Sequence, residues 1–324
     1  MLNKTFAMLK DIKPGTYLPD DVVCYDQAEI DALGVVLRRL VYAPSQIRRV
    51  LQNDYGTTIT RSDFYSEIPT ISDIEKSFMT PSLLTLDGIF PEHDVMVENL
   101  QQLMEVSEEF NPPLKATQPG EFSWEGGPFS YSDAMAYYAM IRTIKPKTIV
   151  EIGSGWSTLV ARMACAKNGI GRIVCIEPYP NPFLLNMGNI ELIKRRAQDM
   201  ETSFFDNILQ SNDILFIDST HTVKHDSDCL HIYLRILPSI RKNIFVHVHD
   251  IDLPQTLSLT DMRDSQIFWN EQYLLYAYML MNPRTRTIYG SKYHWLRNKE
   301  MLEQFMRGRY HAGGASFWFE QLAP

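Results

Sequence analysis

The chain has few cysteines, and their spacing does not fit the usual cysteine-based sites. Four occur in 324 residues, namely Cys24, Cys165, Cys175 and Cys229. No two of them form a CxxC pair, and four isolated cysteines are too sparse for a disulfide-stabilised secreted domain. We therefore expect buried, reduced thiols in the cytoplasm, and neither a disulfide framework nor a cysteine zinc site.

Long apolar runs are also missing. No stretch of the sequence approaches the roughly 20 apolar residues that a transmembrane helix needs. Lys4, Lys10 and Asp11 interrupt the beginning of the chain, which removes the continuous apolar core of a secretory signal. These observations predict a protein that has no transmembrane segment and is not exported.

Positive charge is scarce as well. The chain carries 31 Lys and Arg against 39 Asp and Glu, so its formal net charge is −8. Such a balance repels a phosphate backbone, because proteins bind nucleic acid mainly through clustered Lys and Arg. The composition therefore predicts no nucleic-acid partner.

The residues that are present indicate two regions of different kinds. Apolar positions from Ile30 to Val41 recur at helical spacing, and residues 95–110 show a second helical pattern. Pro112, Pro113, Pro119 and Gly120 then break the pattern. We predict a mainly helical domain over residues 1–115 and a second domain over residues 116–324.

Strand and helix signals alternate after this break, which is typical of a parallel sheet covered by helices on both faces. Seven segments rich in apolar or β-branched residues are predicted as strands: 148–153, 172–177, 189–194, 213–218, 243–249, 285–290 and 315–320. The last two enclose one helix in a hairpin-like unit. The fold class predicted is α/β, a Rossmann-like doubly wound sheet, whereas a nicotinamide-binding fold would continue with parallel crossovers.

A glycine turn follows the first predicted strand, in the segment TIVEIGSGWST. Gly153, Ser154 and Gly155 let the backbone approach a ligand closely at the carboxyl end of that strand, and Glu151 is expected to face the same crevice. Thr158 stands where the dinucleotide-binding fingerprint has its third glycine. The turn thus predicts a nucleotide-like ligand without identifying it.

Acidic and polar residues end the next two strands. Glu177 lies 22 residues beyond Gly155, where a carboxylate can accept both hydroxyls of an adenosine ribose. Gln198 and Asp199 follow the third strand, where a polar pair could contact adenine. Together these residues favour an adenosyl cofactor, although a polar loop after a strand is also common in proteins without one.

Histidines and aspartates follow the fourth and fifth strands. Asp218 and His221 have Asp-x-x-His spacing, and His249 and Asp250 end the next strand, so one crevice should hold all four. A histidine is a natural acceptor for the proton of a hydroxyl nucleophile, and we rank His221 before His249. Asp218 and Asp250 could instead bind a divalent metal such as Mg²⁺, or His249 and Asp250 could form a structural pair.

Four segments, VEIGSGWST, IVCIEPYP, DILFIDSTHTVKHDSD and VHVHDIDLP, resemble in this order the bacterial class I methyltransferases found with surface-glycan or natural-product gene clusters. The resemblance implies that residues 116–324 form a methyltransferase domain with a seven-stranded sheet and an antiparallel last strand. It also implies that residues 1–115 form an accessory domain that shapes the acceptor site. It implies S-adenosylmethionine bound by Glu151, Gly153, Gly155 and Glu177, with Asp218 near the methyl group or a metal. Metal-assisted sugar O-methyltransferases, which this chain also resembles, place two adjacent acids after the next strand, whereas His249 and Asp250 occupy that place here.

Taken together, these features predict O-methylation of a hydroxyl on a sugar, glycan or glycoside-like molecule, with the product serving polysaccharide biosynthesis. Two alternatives stay open. One is a nicotinamide-dependent oxidoreductase, which Thr158 and the hairpin-like ending disfavour. The other is a catalytically silent partner that keeps the cofactor fold, because a fold alone does not imply activity. A homo-oligomer is compatible with the sequence.

Overall fold

The computed structural model describes residues 27–76 and 83–324, so Cys24 and the other N-terminal positions discussed above lie outside the described residues. The chain divides into two compact units, Met1–Lys76 and Ser77–Pro324. The division falls earlier than the boundary predicted near residue 115. The reason is that the helix preceding the prolines packs within the second unit, where the Asn99 amide donates a hydrogen bond to the Ile288 carbonyl oxygen.

The first unit is helical, as the apolar spacing predicts. Its helices are α1 (Gln27–Val41), α2 (Ser45–Tyr55) and α3 (Ile71–Glu75). Helix α2 ends at Gly56, whose φ of 60° provides the left-handed cap that glycine adopts at little cost. Thr70 and Asp73 cap the start of α3 reciprocally, since each side chain accepts a hydrogen bond from the other residue's backbone N–H.

The second unit is built on a seven-stranded mixed sheet. Its strands are β1 (Thr148–Ile152), β2 (Arg172–Ile176), β3 (Glu191–Ile193), β4 (Ile214–Ile217), β5 (Ile244–Val248), β6 (Thr285–Gly290) and β7 (Phe317–Gln321). Their order in the sheet is β3-β2-β1-β4-β5-β7-β6. Strands β1 to β5 are parallel, while β7 inserts antiparallel between β5 and β6. The predicted α/β fold with an antiparallel last strand is confirmed.

Helices cover both faces of this sheet. They are α4 (His93–Ser107), α5 (Tyr131–Ile144), α6 (Trp156–Asn168), α7 (Pro182–Leu185), α8 (Thr202–Ile208), α9 (Asp228–His231), α10 (Leu237–Ser239), α11 (Leu259–Arg263), α12 (Glu271–Met279), α13 (Ser291–Arg297) and α14 (Lys299–Phe305). A single 3₁₀ turn spans Ala197–Asp199, and a π-helical segment, Ile232–Ile236, joins α9 to α10. None of the helices in residues 27–76 and 83–324 combines the length and the apolar character needed to span a bilayer.

Alternation along the buried strands divides the core into two apolar clusters. In β1, Ile149 belongs to the cluster that includes α5 and α6, whereas Val150 and Ile152 belong to the cluster on the opposite face. The successive side chains of a strand point to opposite faces, so β1 must be apolar at nearly every position. Glu151 is the exception, and it lies on the face that α5 and α6 cover.

Candidate active site

The carboxyl ends of β1, β4 and β5 lie side by side, because β4 pairs with both of the other strands. A cavity of about 320 Å³ opens there, within the size range of small-molecule sites. Its lining comprises Pro128, Phe129, Gly153, Ser154, Gly155, Trp156, Ser157, Glu177, Asn181, Asp218, His249 and Asp250. A wider depression of about 760 Å³ beside Arg162 and Met163 has no histidine in its lining.

The two glycines of the turn differ in the space around their Cα atoms. Gly153 has a φ of 79°, and a Cβ atom built on it would lie 2.0 Å from the Asp218 carbonyl oxygen, so the packing of β1 against β4 requires a glycine. A Cβ on Gly155 would meet only the Asn181 amide nitrogen, at 3.6 Å. Since the protein itself leaves room at Gly155, the open space there is available to a ligand.

This difference gives the first testable prediction. We expect Gly153→Ala to lower the free energy of unfolding by more than about 2 kcal/mol, because it combines a positive φ with a backbone clash. Gly155→Ala should leave stability within about 1 kcal/mol of wild type yet weaken binding of S-adenosylhomocysteine at least tenfold. Urea unfolding and calorimetric titration measure the two effects. Equal stability losses in both variants would contradict the conclusion that Gly153 is required for packing and that Gly155 leaves space for a ligand.

Glu177 closes the turn from the side of β2. Its Oε2 accepts a hydrogen bond from the Ser154 backbone N–H at 3.2 Å, and its Oε1 accepts one from the Tyr179 backbone N–H at 2.7 Å. The carboxylate is partly exposed and lines the cavity. Glu177 and the glycine turn are therefore brought together as the sequence predicts.

Glu151 does not line the cavity, although the sequence places it in the crevice. It is fully buried beneath the turn, where its carboxyl group accepts hydrogen bonds from the Tyr137 hydroxyl at 2.9 Å and the Thr158 hydroxyl at 2.5 Å. Burial raises the pKa of Glu151 to about 7, against the opposing effect of these two hydrogen bonds. Thr158 Oγ1 also accepts the Gly155 N–H at 3.2 Å, so the residue that replaces the third glycine links Glu151 to the turn.

Gln198 and Asp199 also lie away from the cavity lining. Both belong to the 3₁₀ turn that follows β3, and the exposed Asp199 carboxylate forms an ion pair with Arg196 at 2.7 Å. That pairing lowers the pKa of Asp199. A role in binding adenine stays a prediction for these two residues.

The acid and histidine side chains predicted at the ends of β4 and β5 do meet. His221 Nε2 lies 3.2 Å from Asp218 Oδ1 and 3.4 Å from Asp250 Oδ2. His249 Nδ1 approaches the same two carboxylates, at 3.6 and 3.5 Å. Both imidazoles are buried, whereas the two carboxylates are about one-third exposed and face the cavity.

The backbone at this cluster is locally strained. His221 and Asp250 have φ values of 56° and 55°, in the left-handed region that residues with a Cβ seldom adopt. Such conformations persist where the surrounding structure holds them, and they concentrate at functional sites. At His221 the restraint is visible, because its carbonyl oxygen accepts hydrogen bonds from the backbone N–H groups of Asn270 and Glu271.

Two buried carboxylates that the sequence analysis did not select stand behind the histidines. Glu271 accepts a hydrogen bond from His221 Nδ1 at 2.8 Å, and Asp133 Oδ2 lies 3.4 Å from His249 Nε2. Asp133 begins α5 and Glu271 begins α12, both far from the strand ends in sequence. Acids in the first turn of a helix are usually explained by the helix dipole, so no local pattern distinguishes these two.

The charges of the cluster depend on one another. Burial would lower the pKa of His221, but hydrogen bonds with Asp218 and Glu271 raise it to about 10. His249 likewise has its pKa raised against burial by Asp218 and Asp250. Burial opposes ionisation of Asp218, yet the two histidines hold its pKa below the usual range. Burial dominates at Asp250 and raises its pKa.

His247 takes no part in this cluster. It is fully buried, hydrogen-bonds the Ser316 hydroxyl through Nε2 at 2.7 Å and stacks on the Trp318 ring, and burial lowers its pKa well below the usual value. It is a neutral core residue.

Three of the clustered side chains are arranged as a metal site would require. One potential ligand atom from each of Asp218, His221 and Asp250 lies within 4.8 Å of the others. Two carboxylate oxygens and an imidazole nitrogen are suitable ligands for a divalent cation such as Mn²⁺, and Mg²⁺ would favour the oxygens. The donor set therefore fits a metal.

Comparisons with known proteins show what the chain is similar to. A family described as "Methyltransferase domain" matches residues 150–251, which run from β1 to just beyond β5. An uncharacterised protein of Archaeoglobus fulgidus is 31% identical over 170 residues, covering 49% of this chain and 77% of that protein.

Two solved structures illustrate more distant likenesses. An O-methyltransferase from Bacillus cereus in complex with SAH is 14% identical, with a TM-score of 0.36 over 73% of this chain and 94% of that one. A methyltransferase from Geobacter sulfurreducens is 16% identical, with a TM-score of 0.32 over the same shares. At such low TM-scores neither likeness carries an argument about the site.

Proposed function

We propose that the chain is a class I methyltransferase, which uses S-adenosylmethionine to methylate a hydroxyl group of a sugar, glycan or glycoside-like small molecule. The match of residues 150–251 to a methyltransferase-domain family supports this proposal. One observation carries the proposal. The glycine-turn cavity and the cluster of His221, His249, Asp218 and Asp250 share one edge of the sheet, so a cofactor site and proton-accepting groups adjoin.

The cofactor would be held by the turn and by Glu177. Gly155 leaves space that a Cβ would otherwise fill, and the Glu177 carboxylate at the rim of that space suits a ribose diol. When bound, S-adenosylmethionine supplies an electrophilic methyl group on a sulfonium ion. Glu151 supports the turn through Thr158, so its contribution to binding is indirect.

His221 would take the proton of the acceptor hydroxyl. Its Nε2 faces the carboxylates that line the cavity, while its Nδ1 is held by Glu271. In the free protein the neighbouring carboxylates favour the protonated imidazole. A cation held by Asp218 and Asp250 would favour the neutral form of His221 by electrostatic repulsion, which is the form that a general base requires.

The same cluster could also bind a divalent metal ion. Asp218 and Asp250 would be its oxygen ligands, with His221 either as the base beside it or as a third ligand. Such an ion lowers the pKa of a hydroxyl that it contacts. The reaction would take place in the cytoplasm, in line with the buried free thiols of Cys165, Cys175 and Cys229.

Ligand-dependent stability and methyl transfer test this function. S-adenosylhomocysteine at 100 times its dissociation constant should stabilise the protein by about 2.7 kcal/mol, which corresponds to a rise in Tm of about 5–10 °C, and NAD should not. Incubation with labelled cofactor and candidate glycans, with and without EDTA, should give a product heavier by one methyl group. Stabilisation by NAD alone would favour the oxidoreductase. Cofactor binding without any product would favour the silent partner.

A further inference from the structure

Glu271 is a buried acid whose carboxylate is fully occupied by hydrogen-bond donors. Oε2 accepts hydrogen bonds from His221 Nδ1 at 2.8 Å and from the Ser219 hydroxyl at 2.7 Å, while Oε1 accepts one from the Tyr233 hydroxyl at 2.9 Å. Only about 1% of the residue is exposed. Such a group is costly to bury unless its partners are fixed, so the arrangement restrains every member.

Two separate elements bring these partners together. Tyr233 lies in the π-helical segment Ile232–Ile236, a rare geometry that is found preferentially at functional sites. The first residues of α12 hold the His221 backbone, through the N–H groups of Asn270 and Glu271. His221 is thus fixed by α12 at both its carbonyl oxygen and its Nδ1 atom.

Glu271 accepts hydrogen bonds from the Ser219 and Tyr233 hydroxyls, so its contact with His221 is explained by a proton on Nδ1. The other nitrogen, Nε2, then faces Asp218 and Asp250 at the cavity. We propose that Glu271 is the positioning residue of the active site, which fixes the ring orientation of His221 and holds a proton on Nδ1, so that Nε2 is the nitrogen that exchanges a proton at the cavity. This inference rests on the proposed function, in which His221 is the base.

His249 also contacts a buried carboxylate, but at a longer distance. His249 Nε2 lies 3.4 Å from Asp133, compared with 2.8 Å for the contact of His221 with Glu271. Asp133 is also occupied by three other donors: the backbone N–H groups of Ala315 and Ser316 and the Ser291 hydroxyl. Its main structural task is therefore to bind the chain before β7, whereas Glu271 makes the shorter contact with a histidine of the site.

Glu271→Gln tests the proposal. Tyr233→Phe is the matched control, because it removes another donor from the same carboxylate. Ser219→Ala is a second control, which removes a donor from that carboxylate and also the acceptor of the His221 backbone N–H. We expect Glu271→Gln to lower kcat about 100-fold, while the KM for the acceptor and the affinity for S-adenosylhomocysteine stay within about threefold. Both controls should keep kcat within about fivefold. Equal losses in Glu271→Gln and Tyr233→Phe would overturn the proposal, because they would indicate a general packing defect.

A second measurement does not depend on turnover. In protein labelled with ¹⁵N-histidine, the Nδ1–H proton of His221, assigned through His221→Gln, should be slow to exchange and shifted downfield in wild type and both controls. It should move upfield or vanish in Glu271→Gln. A fast-exchanging Nδ1–H proton in the wild-type protein would refute the role of Glu271. This result does not require that Glu271→Gln folds. If no acceptor is ever methylated, the proposed function fails, while this spectrum still decides the positioning role.

Discussion

Replacing His221 by alanine is expected to lower kcat about 10²- to 10⁴-fold, the usual contribution of a general base. The His221 side chain lies behind the Asp218 and Asp250 carboxylates and does not itself line the cavity, so binding of S-adenosylhomocysteine should change little. A labelled-methyl assay measures kcat, and calorimetric titration measures cofactor affinity. A loss of kcat with unchanged affinity identifies an interaction made in the transition state.

Two further variants make this experiment decisive. His225 lies four residues further along the same loop and is exposed, so His225→Ala should retain wild-type turnover. His249 is the other candidate base. We expect His249→Ala to reduce kcat less than His221→Ala, because the contact of His249 with Asp133, at 3.4 Å, is looser than the 2.8 Å contact that orients His221 on Glu271. The reverse order would make His249 the base. Full activity in both histidine variants would remove this cluster from the chemistry.

Much of the sheet and its carboxyl edge follows from local pattern. Each of the seven predicted strands overlaps an observed one, because buried strands need apolar residues on both faces. Asp218, His221 and Asp250 meet because parallel strands bring the residues that follow them to one edge. The glycine turn is equally local, since the positive φ of Gly153 is a property of that position.

The differences between the predictions and the structure come from contacts distant in sequence. The position of Glu151 in β1 predicts that it faces a ligand, yet the Tyr137 hydroxyl on α5 and the Thr158 hydroxyl on α6 occupy its carboxylate. Glu271 is 50 residues from His221, so no spacing rule joins them. The prolines near residue 112 mark a loop inside the second unit, because a break in periodicity ends a helix without ending a domain.

The largest stability effect is expected at Asp133, which lies at the start of α5. Its carboxylate accepts hydrogen bonds from the backbone N–H groups of Ala315 and Ser316, each at 2.9 Å, and from the Ser291 hydroxyl at 2.7 Å. Asp133→Ala would leave these donors buried without a partner and His249 without its nearest acid. We expect the free energy of unfolding to fall by about 3–5 kcal/mol, measured by urea denaturation.

The pH dependence and two comparisons sharpen this prediction. Burial opposes ionisation of Asp133, but His249 and the donors around it hold its pKa below the usual value of 3.8. Its stabilising contribution is therefore complete above about pH 4 and is lost as pH falls through the lower folded-state pKa. Asp133→Asn keeps one acceptor oxygen, so it should lose less stability than Asp133→Ala and approach the stability of wild type in acid.

Asp264→Ala, which removes an exposed partner of Arg263, should have no measurable effect on the free energy of unfolding. A loss below about 1 kcal/mol in Asp133→Ala would show that water or neighbouring side chains satisfy the donors, and that the chain before β7 is held by other contacts.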